Sequence, residues 1–182
     1  LVALKKVYDA FQNSTDAQRT YREVMYLEHL NGHENIIRLL SIHRAYNNKD
    51  LYLVFDLMET DLHIVIRAKI LKPIHKQFIL YQLFKALKYI HSAQIIHRDL
   101  KPENIIVTKD SPIIIDFGLA TIADEPKYLF VRCGTPGYVA PEIINIKDMS
   151  TKSLPISDVF SAGCIFYYMI FNRHLFMGKT GQ

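Results

Sequence analysis

The stretch of this 182-residue chain that most restricts its fold is a pair of β-branched runs with polar residues at both outer ends. Ile105-Ile106-Val107 and Ile113-Ile114-Ile115 flank the turn-forming Lys109-Asp110-Ser111-Pro112, which predicts a small hairpin. The polar cluster His97-Arg98-Asp99-Leu100-Lys101-Pro102-Glu103-Asn104 ends where the first run begins, and Asp116 directly follows the second. A hairpin's ends lie close together, so Asn104 and Asp116 are brought to one place.

That pair of side chains points to a particular chemistry. An amide oxygen and a carboxylate suit Mg²⁺, which keeps water and completes its shell with a ligand's phosphate oxygens. Asp99 remains free to orient a hydroxyl, and Lys101 to meet phosphoryl charge. Together these parts describe phosphoryl transfer, in which catalysis is mostly positioning and charge neutralisation. Composition agrees: 49% of the residues are hydrophobic and 22% charged, with a formal charge of +4 from 22 basic and 18 acidic residues. Such a chain buries a core and is not disordered. The mild basic excess fits an anionic ligand and gives no ground for nucleic acid. Cys133 and Cys164 are too few for a disulfide scaffold and lack metal-ligand spacing. The longest apolar stretch, Val159 to Phe171, is shorter than the ~20 residues a membrane span requires. No membrane partner is expected, and a reducing compartment is.

Before the hairpin, Leu1 to Val7 reads as a strand with Val2 and Leu4 on one face and Ala3 and Lys5 on the other. Thr15 and Gln18 form a capping box for a helix running to about Leu30. On that helix Glu23, Leu27 and Leu30 share a face, so Glu23 is a carboxylate on the apolar side in want of a partner. Strands are expected over Ile36 to Tyr46 and Leu51 to Leu57, then helices over Asp61 to Arg67 and Pro73 to Ser92. In the longer helix Ile74, Phe78, Tyr81, Leu87 and Ile90 are expected to form the core stripe. The stretch from Ser157 to Phe171 is apolar nearly all round and is expected to be buried, with Phe160 to Phe171 as core.

Four segments then resemble the eukaryotic protein kinases in family order. Val2-Ala3-Leu4-Lys5 is similar to the family's VAIK strand and His97 to Asn104 to its catalytic loop. Asp116-Phe117-Gly118 and Ala140-Pro141-Glu142 match its DFG and APE triplets. The resemblance implies an α+β, two-lobed protein-kinase-like fold, with residues 1–55 as the remainder of a small lobe, 56–61 as hinge and 62–182 as the first part of a large lobe. With no glycine before Gly32, the Gly-rich phosphate loop is expected to be missing, so the fold is expected to be incomplete at both ends. It implies ATP and Mg²⁺ as cofactors, Lys5 on the α- and β-phosphates with Glu23 as its ion-pair partner, and Asp99 as base. Lys101 would contact the γ-phosphate, and Asn104 and Asp116 would hold the metal. Phe55 would be the gatekeeper, Asp56 and Met58 would bind the adenine edge by their backbones, and Ala3 and Ile106 would sandwich the ring. Asp158 matches the buried aspartate that steadies the catalytic loop.

Lys101 and Gly134-Thr135-Pro136 resemble the serine/threonine kinases, which makes the expected partners protein substrates with Ser/Thr acceptors and an upstream activating kinase. Thr20-Tyr21-Arg22-Glu23 and Asp56 to Leu62 resemble the mitogen-activated protein kinases. Glu103 and Cys133 to Tyr138 resemble the calmodulin-dependent and cyclic-nucleotide-dependent groups. Val139 stands where an arginine accompanies proline selection, so Glu103 is expected to favour basic residues before the phosphosite. Arg98 would receive an activation-segment phosphate. The usual acceptor position is Val131, which leaves Thr121 or Tyr128 as substitutes, or a segment ordered without phosphate. The resemblance places the protein in the cytoplasm, with the nucleus also open. Its alternative is a catalytically impaired fragment acting as an interaction module, and a small-molecule phosphotransferase is a third, less fitting class.

Overall fold

The computed structural model describes residues 1–123, 125, 131–147 and 153–176. Strand β1 (Val2–Val7) leads to helix α1 (Ser14–His29), followed by β2 (Leu39–Arg44) and β3 (Leu51–Asp56). These strands form an antiparallel sheet in the order β1-β3-β2, with Ala3 opposite Phe55 and Lys5 opposite Leu53. Alternation along β1 therefore turns Ala3 and Lys5 one way and leaves Val2 and Leu4 exposed on the other. The two-residue β4 (Thr60–Asp61) then runs into α2 (Leu62–Arg67), whose first turn is capped by the Asp61 carboxylate accepting from the Ile64 N–H at 2.9 Å.

The remainder is mainly helical. Helix α3 (Pro73–Ser92) has proline at its first position, where the missing N–H costs nothing, and Gln94 in the left-handed region beyond its end. After it come β5 (Ile95–Ile96), a 3₁₀ turn at Pro102–Asn104, β6 (Ile105–Val107) and β7 (Pro112–Ile114). Strand β8 (Thr121–Ile122), α4 (Pro141–Ile144) and α5 (Ile156–Phe171) complete the described elements. Strands β4, β6 and β7 form a second antiparallel sheet, and β5 pairs with β8. The expected hairpin is thus β6–β7, with Ile105 opposite Ile114. No helix among the described residues is long and apolar enough to cross a membrane.

Three hydrogen bonds weld the sheet-bearing part to the helical part. Ile37 N–H donates to the Ile114 carbonyl at 3.0 Å and Ile114 N–H to the Asn35 carbonyl at 2.8 Å. The buried Asn35 amide donates to the Pro112 carbonyl at 2.9 Å. One continuous core, including Tyr26, Leu27, Leu53, Leu87, Ile105 and Phe117, runs under both parts.

Several sequence expectations are corrected. Helix α1 is capped by Asn13, whose side chain accepts from the Asp16 N–H at 2.8 Å, rather than by Thr15. The strand expected from Ile36 starts only at Leu39, because Ile36 and Ile37 turn away to bridge β7. On α3 the inward stripe is Ile79, Leu83, Ala86, Leu87 and Ile90. Ile74, Phe78 and Tyr81 lie outside it and are exposed, because at about 100° per residue they fall on the side of the helix turned away from that stripe. Helix α5 is likewise buried on one face only: Ala162, Ile165 and Met169 pack inward, while Ile170 and Phe171 are exposed and Phe160 is partly so.

The corrected face of α3 gives a measurable contrast. Ile90→Ala removes a fully enclosed side chain and is expected to cost about 2–5 kcal/mol in urea unfolding, whereas Ile74→Ala should stay within about 0.5 kcal/mol.

Candidate active site

The sheet-bearing and helical parts enclose a cavity of about 410 Å³. Strand β1 supplies Ala3 and Lys5 to its wall, α1 supplies Glu23, and the end of β3 with the residues after it supplies Phe55, Asp56 and Met58. From the hairpin come Asn104, Ile106 and Asp116. Nine residues singled out from the sequence therefore line one cavity.

Charge is arranged in opposed pairs. Lys5 Nζ lies 2.5 Å from Glu23 Oε1 and 3.8 Å from Asp116 Oδ1. The anomalous carboxylate of α1, only 5% exposed, thus has its partner on the neighbouring strand. Burial pushes the Asp116 carboxyl up. The charges of Lys5 and Arg19 and the Gly118 N–H outweigh that and hold it below the usual carboxylate value. The Asp56 carboxylate is taken up by Arg38, at 3.1 Å to each oxygen.

A second cluster adjoins the first through Asn104. The Asn104 amide donates to the Asp99 carbonyl at 2.9 Å and to Asp99 Oδ2 at 3.2 Å. Thr135 donates its hydroxyl proton to Asp99 Oδ1 at 2.6 Å and accepts from Lys101 Nζ at 2.9 Å. Lys101 Nζ also lies 3.2 Å from Asp99 Oδ2. Thr135 reaches this position because Gly134 passes close to the catalytic loop at a φ of +114°. A Cβ there would stand 2.9 Å from the Arg98 carbonyl oxygen.

Asp158, fully buried on α5, holds the loop from below. Its Oδ2 accepts from the His97 N–H and its Oδ1 from the Arg98 N–H, both at 2.9 Å. His91 Nε2 lies 2.9 Å from the same Oδ2. His97, itself wholly enclosed, spans the Ile115 carbonyl with Nε2 at 3.0 Å and the Asp99 N–H with Nδ1 at 3.3 Å, and stands edge-on to Phe117. This places the Nε2 proton on the carbonyl side. Arg98 Nε donates to the Leu119 carbonyl at 2.8 Å.

Other singled-out residues fall elsewhere. Glu103 is exposed on the 3₁₀ turn, 3.4 Å from His63 Nδ1. Thr121, expected as a substitute phosphate acceptor, is 0% exposed in β8, paired with β5, so its hydroxyl is enclosed in this structure. Tyr128 lies outside the described residues. Val131 is buried against Ala140, Ile143 and Ile146. Leu27, Ile37 and Ile115 line the cavity without having been singled out for it. Leu27 was within reach, one turn from Glu23, whereas Ile37 depends on the bridge to β7.

The cavity pairs Lys5 with Glu23 across a strand and a helix, beside the loop that carries Asp99, Lys101 and Asn104. The chain belongs to the protein kinase domain family, whose model matches residues 1–182. Among curated relatives it is 50% identical over 187 residues to "Extracellular signal-regulated kinase 2" of Dictyostelium discoideum, covering 98% of this chain and 50% of that one. It is 47% identical to "Mitogen-activated protein kinase 15" of Xenopus laevis, covering 99% and 32%. It is also 47% identical to "Extracellular signal-regulated kinase 7" of Drosophila melanogaster, covering 98% and 20%. The similarity to mitogen-activated protein kinases thus extends along nearly all of the chain, which spans half or less of these relatives' length.

Asp158→Asn tests the support beneath the loop. The amide can accept at only one of the two oxygen positions, so the His97 or Arg98 N–H is left buried without a partner. The expected cost is about 2–4 kcal/mol in urea unfolding.

Proposed function

We propose that this protein transfers the γ-phosphoryl group of ATP to serine and threonine hydroxyls of protein substrates. The observation that carries the reading is the hydrogen-bonded series Lys101–Thr135–Asp99–Asn104, joined through Asn104 to the cavity that Lys5, Glu23 and Asp116 line. In this series a side-chain hydroxyl already sits between a carboxylate and an ammonium group. An acceptor alcohol needs the same arrangement.

The acceptor oxygen forms a bond to the γ-phosphorus as the bond to the bridging oxygen of ADP breaks, and the hydroxyl proton passes to Asp99. Lys101 offsets the charge on the moving phosphoryl group. Lys5, oriented by Glu23, holds the phosphates behind it, where positioning and charge supply most of the rate. Ala3 and Ile106, on opposite walls, take the adenine ring, with Phe55 behind it and the backbones of Asp56 and Met58 at its edge. Residues 56–61 then act as the hinge between 1–55 and 62–182.

The residues fit a magnesium ion. The nitrogen of the Asn104 amide is committed to Asp99, which leaves its oxygen for a cation. Asp116 remains ionised through its cationic neighbours. No group of three His, Cys, Asp or Glu gathers as a metal site among the described residues. Two oxygen donors completed by phosphate and water match the habits of Mg²⁺. When bound, the ion neutralises phosphate charge.

Protein substrates and an upstream activating kinase are the partners in this reading, and the cytoplasm its setting. Glu103, exposed beside the catalytic turn, attracts basic residues that precede the phosphosite.

Asp99→Asn is expected to lower γ-phosphate transfer to a Ser/Thr peptide about 10²- to 10⁴-fold while Mg-ATP still raises the melting temperature. Retained transfer would remove Asp99 from the reading. If Mg-ATP fails to stabilise the unsubstituted protein, the interaction-module alternative is favoured instead. A second comparison concerns specificity. With a peptide pair that differs by one upstream Arg, Glu103→Gln should reduce the preference for the Arg peptide about threefold or more. An unchanged ratio would detach Glu103 from substrate choice.

A further inference from the structure

We propose that Glu125 is a positioning residue for the transfer site: paired with Arg22, it latches helix α1 to the segment after β8 and so keeps Glu23 on Lys5. The inference rests on the phosphotransfer reading above.

Arg22 and Glu23 are consecutive on α1, and consecutive helical side chains point about 100° apart. Glu23 accordingly meets Lys5 in the cavity, while Arg22 faces the segment that follows β8. Arg22 Nη2 lies 3.5 Å from Glu125 Oε1, with the two side chains 18% and 24% exposed. By contrast, Arg38–Asp56 and Lys85–Glu34 lie open to solvent. Screening is weaker at the enclosed pair, so its attraction counts for more.

The surroundings make Glu125 hard to replace. Arg22 Nη1 is buried without a hydrogen-bond partner, one turn before the buried Tyr26 on α1. Burial pushes the Tyr26 phenol up, Arg22 and Arg98 pull it down, and Glu125 adds to the rise, so all three charges act within one enclosed space. The Glu125 carboxylate offsets the guanidinium charge of Arg22 there.

Each end of the latch connects to one half of the site. Glu125 N–H donates to the Ile122 carbonyl at 3.2 Å, and Ile122 is paired with Ile95, two residues before His97. Arg22 adjoins Glu23. The pair therefore fixes the Lys5–Glu23 wall relative to Asp99 and Lys101. Its negative charge comes from the chain itself, so this contact forms without a modification.

The test uses the full-length protein carrying Glu125→Gln, Arg22→Gln, both together, or the charge-conserving Glu125→Asp. Steady-state kinetics with a Ser/Thr peptide and Mg-ATP are expected to show kcat about fivefold lower in each Gln variant, with KM for the peptide unchanged. The double variant should be no worse than either single one, and Glu125→Asp should recover most of the rate. Hydrogen–deuterium exchange should quicken in α1 in Glu125→Gln and remain unchanged in α3. Unaltered exchange in α1, or kinetic losses that simply multiply, would overturn the latch. If the unsubstituted protein transfers no phosphate, the phosphotransfer reading fails by itself, and the exchange measurement still decides whether Glu125 holds α1.

Discussion

The candidate site depends first on one buried charge. Asp158 is fully enclosed on α5, and a carboxylate in such a place is tolerated only when its oxygens are satisfied. Its partners are the His97 and Arg98 N–H groups and the His91 ring. The charge therefore selects one path for the chain between β5 and the 3₁₀ turn, and Asp99 inherits its position. His97 continues the same control by bridging the Asp99 N–H to the Ile115 carbonyl, one residue before Asp116. Two acidic residues far apart in sequence are thereby referred to a common frame beneath them.

The other half of the site is set by α1. Lys5 alone on a β-strand would be an ordinary solvated lysine, and its side chain is still 42% exposed. Glu23 gives it direction because Glu23 itself has little freedom: Tyr26, Leu27 and Leu30 on the same helix are packed in the core. The placement of Lys5 is thus a packing result expressed as an ion pair. Asp116, 3.8 Å away, joins this wall to the hairpin, so the cavity closes through opposite charges from three different elements.

Much of this was legible in the sequence where a local rule has a single solution. Pro73 fixes the start of α3, and two isoleucine-rich runs around Asp110-Ser111-Pro112 have little alternative to a hairpin. The carboxylate of Glu23 on an apolar face required a cation. What stayed hidden depends on the tertiary arrangement. Periodicity sets Ile74 and Tyr81 on the opposite side of α3 from Ile90, but which side faces inward depends on what packs against the helix. Strands β5 and β8, two residues each, are too short for any pattern, which is why the enclosure of Thr121 could not be foreseen. Ile37 reaches the cavity only because the segment before β2 bridges to β7.

The loop also carries backbone strain on both sides of its chemistry. Arg98 has φ of +66° and Asp116 of +60°, in the left-handed region that non-glycine residues seldom occupy. Each such residue costs about 1–3 kcal/mol. Against this stand the two backbone N–H bonds to the Asp158 carboxylate, each worth about 1.5–3 kcal/mol because one partner is charged. The Arg98 Nε bond to the Leu119 carbonyl and the Gly118 N–H bond to Asp116 act at the same two residues. The opposing contributions are of similar size, so the bonds to Asp158 offset the strain at Arg98 and Asp116. The same anchoring that makes the site rigid makes it sensitive to changes on α5, a helix that contributes no side chain to the cavity wall.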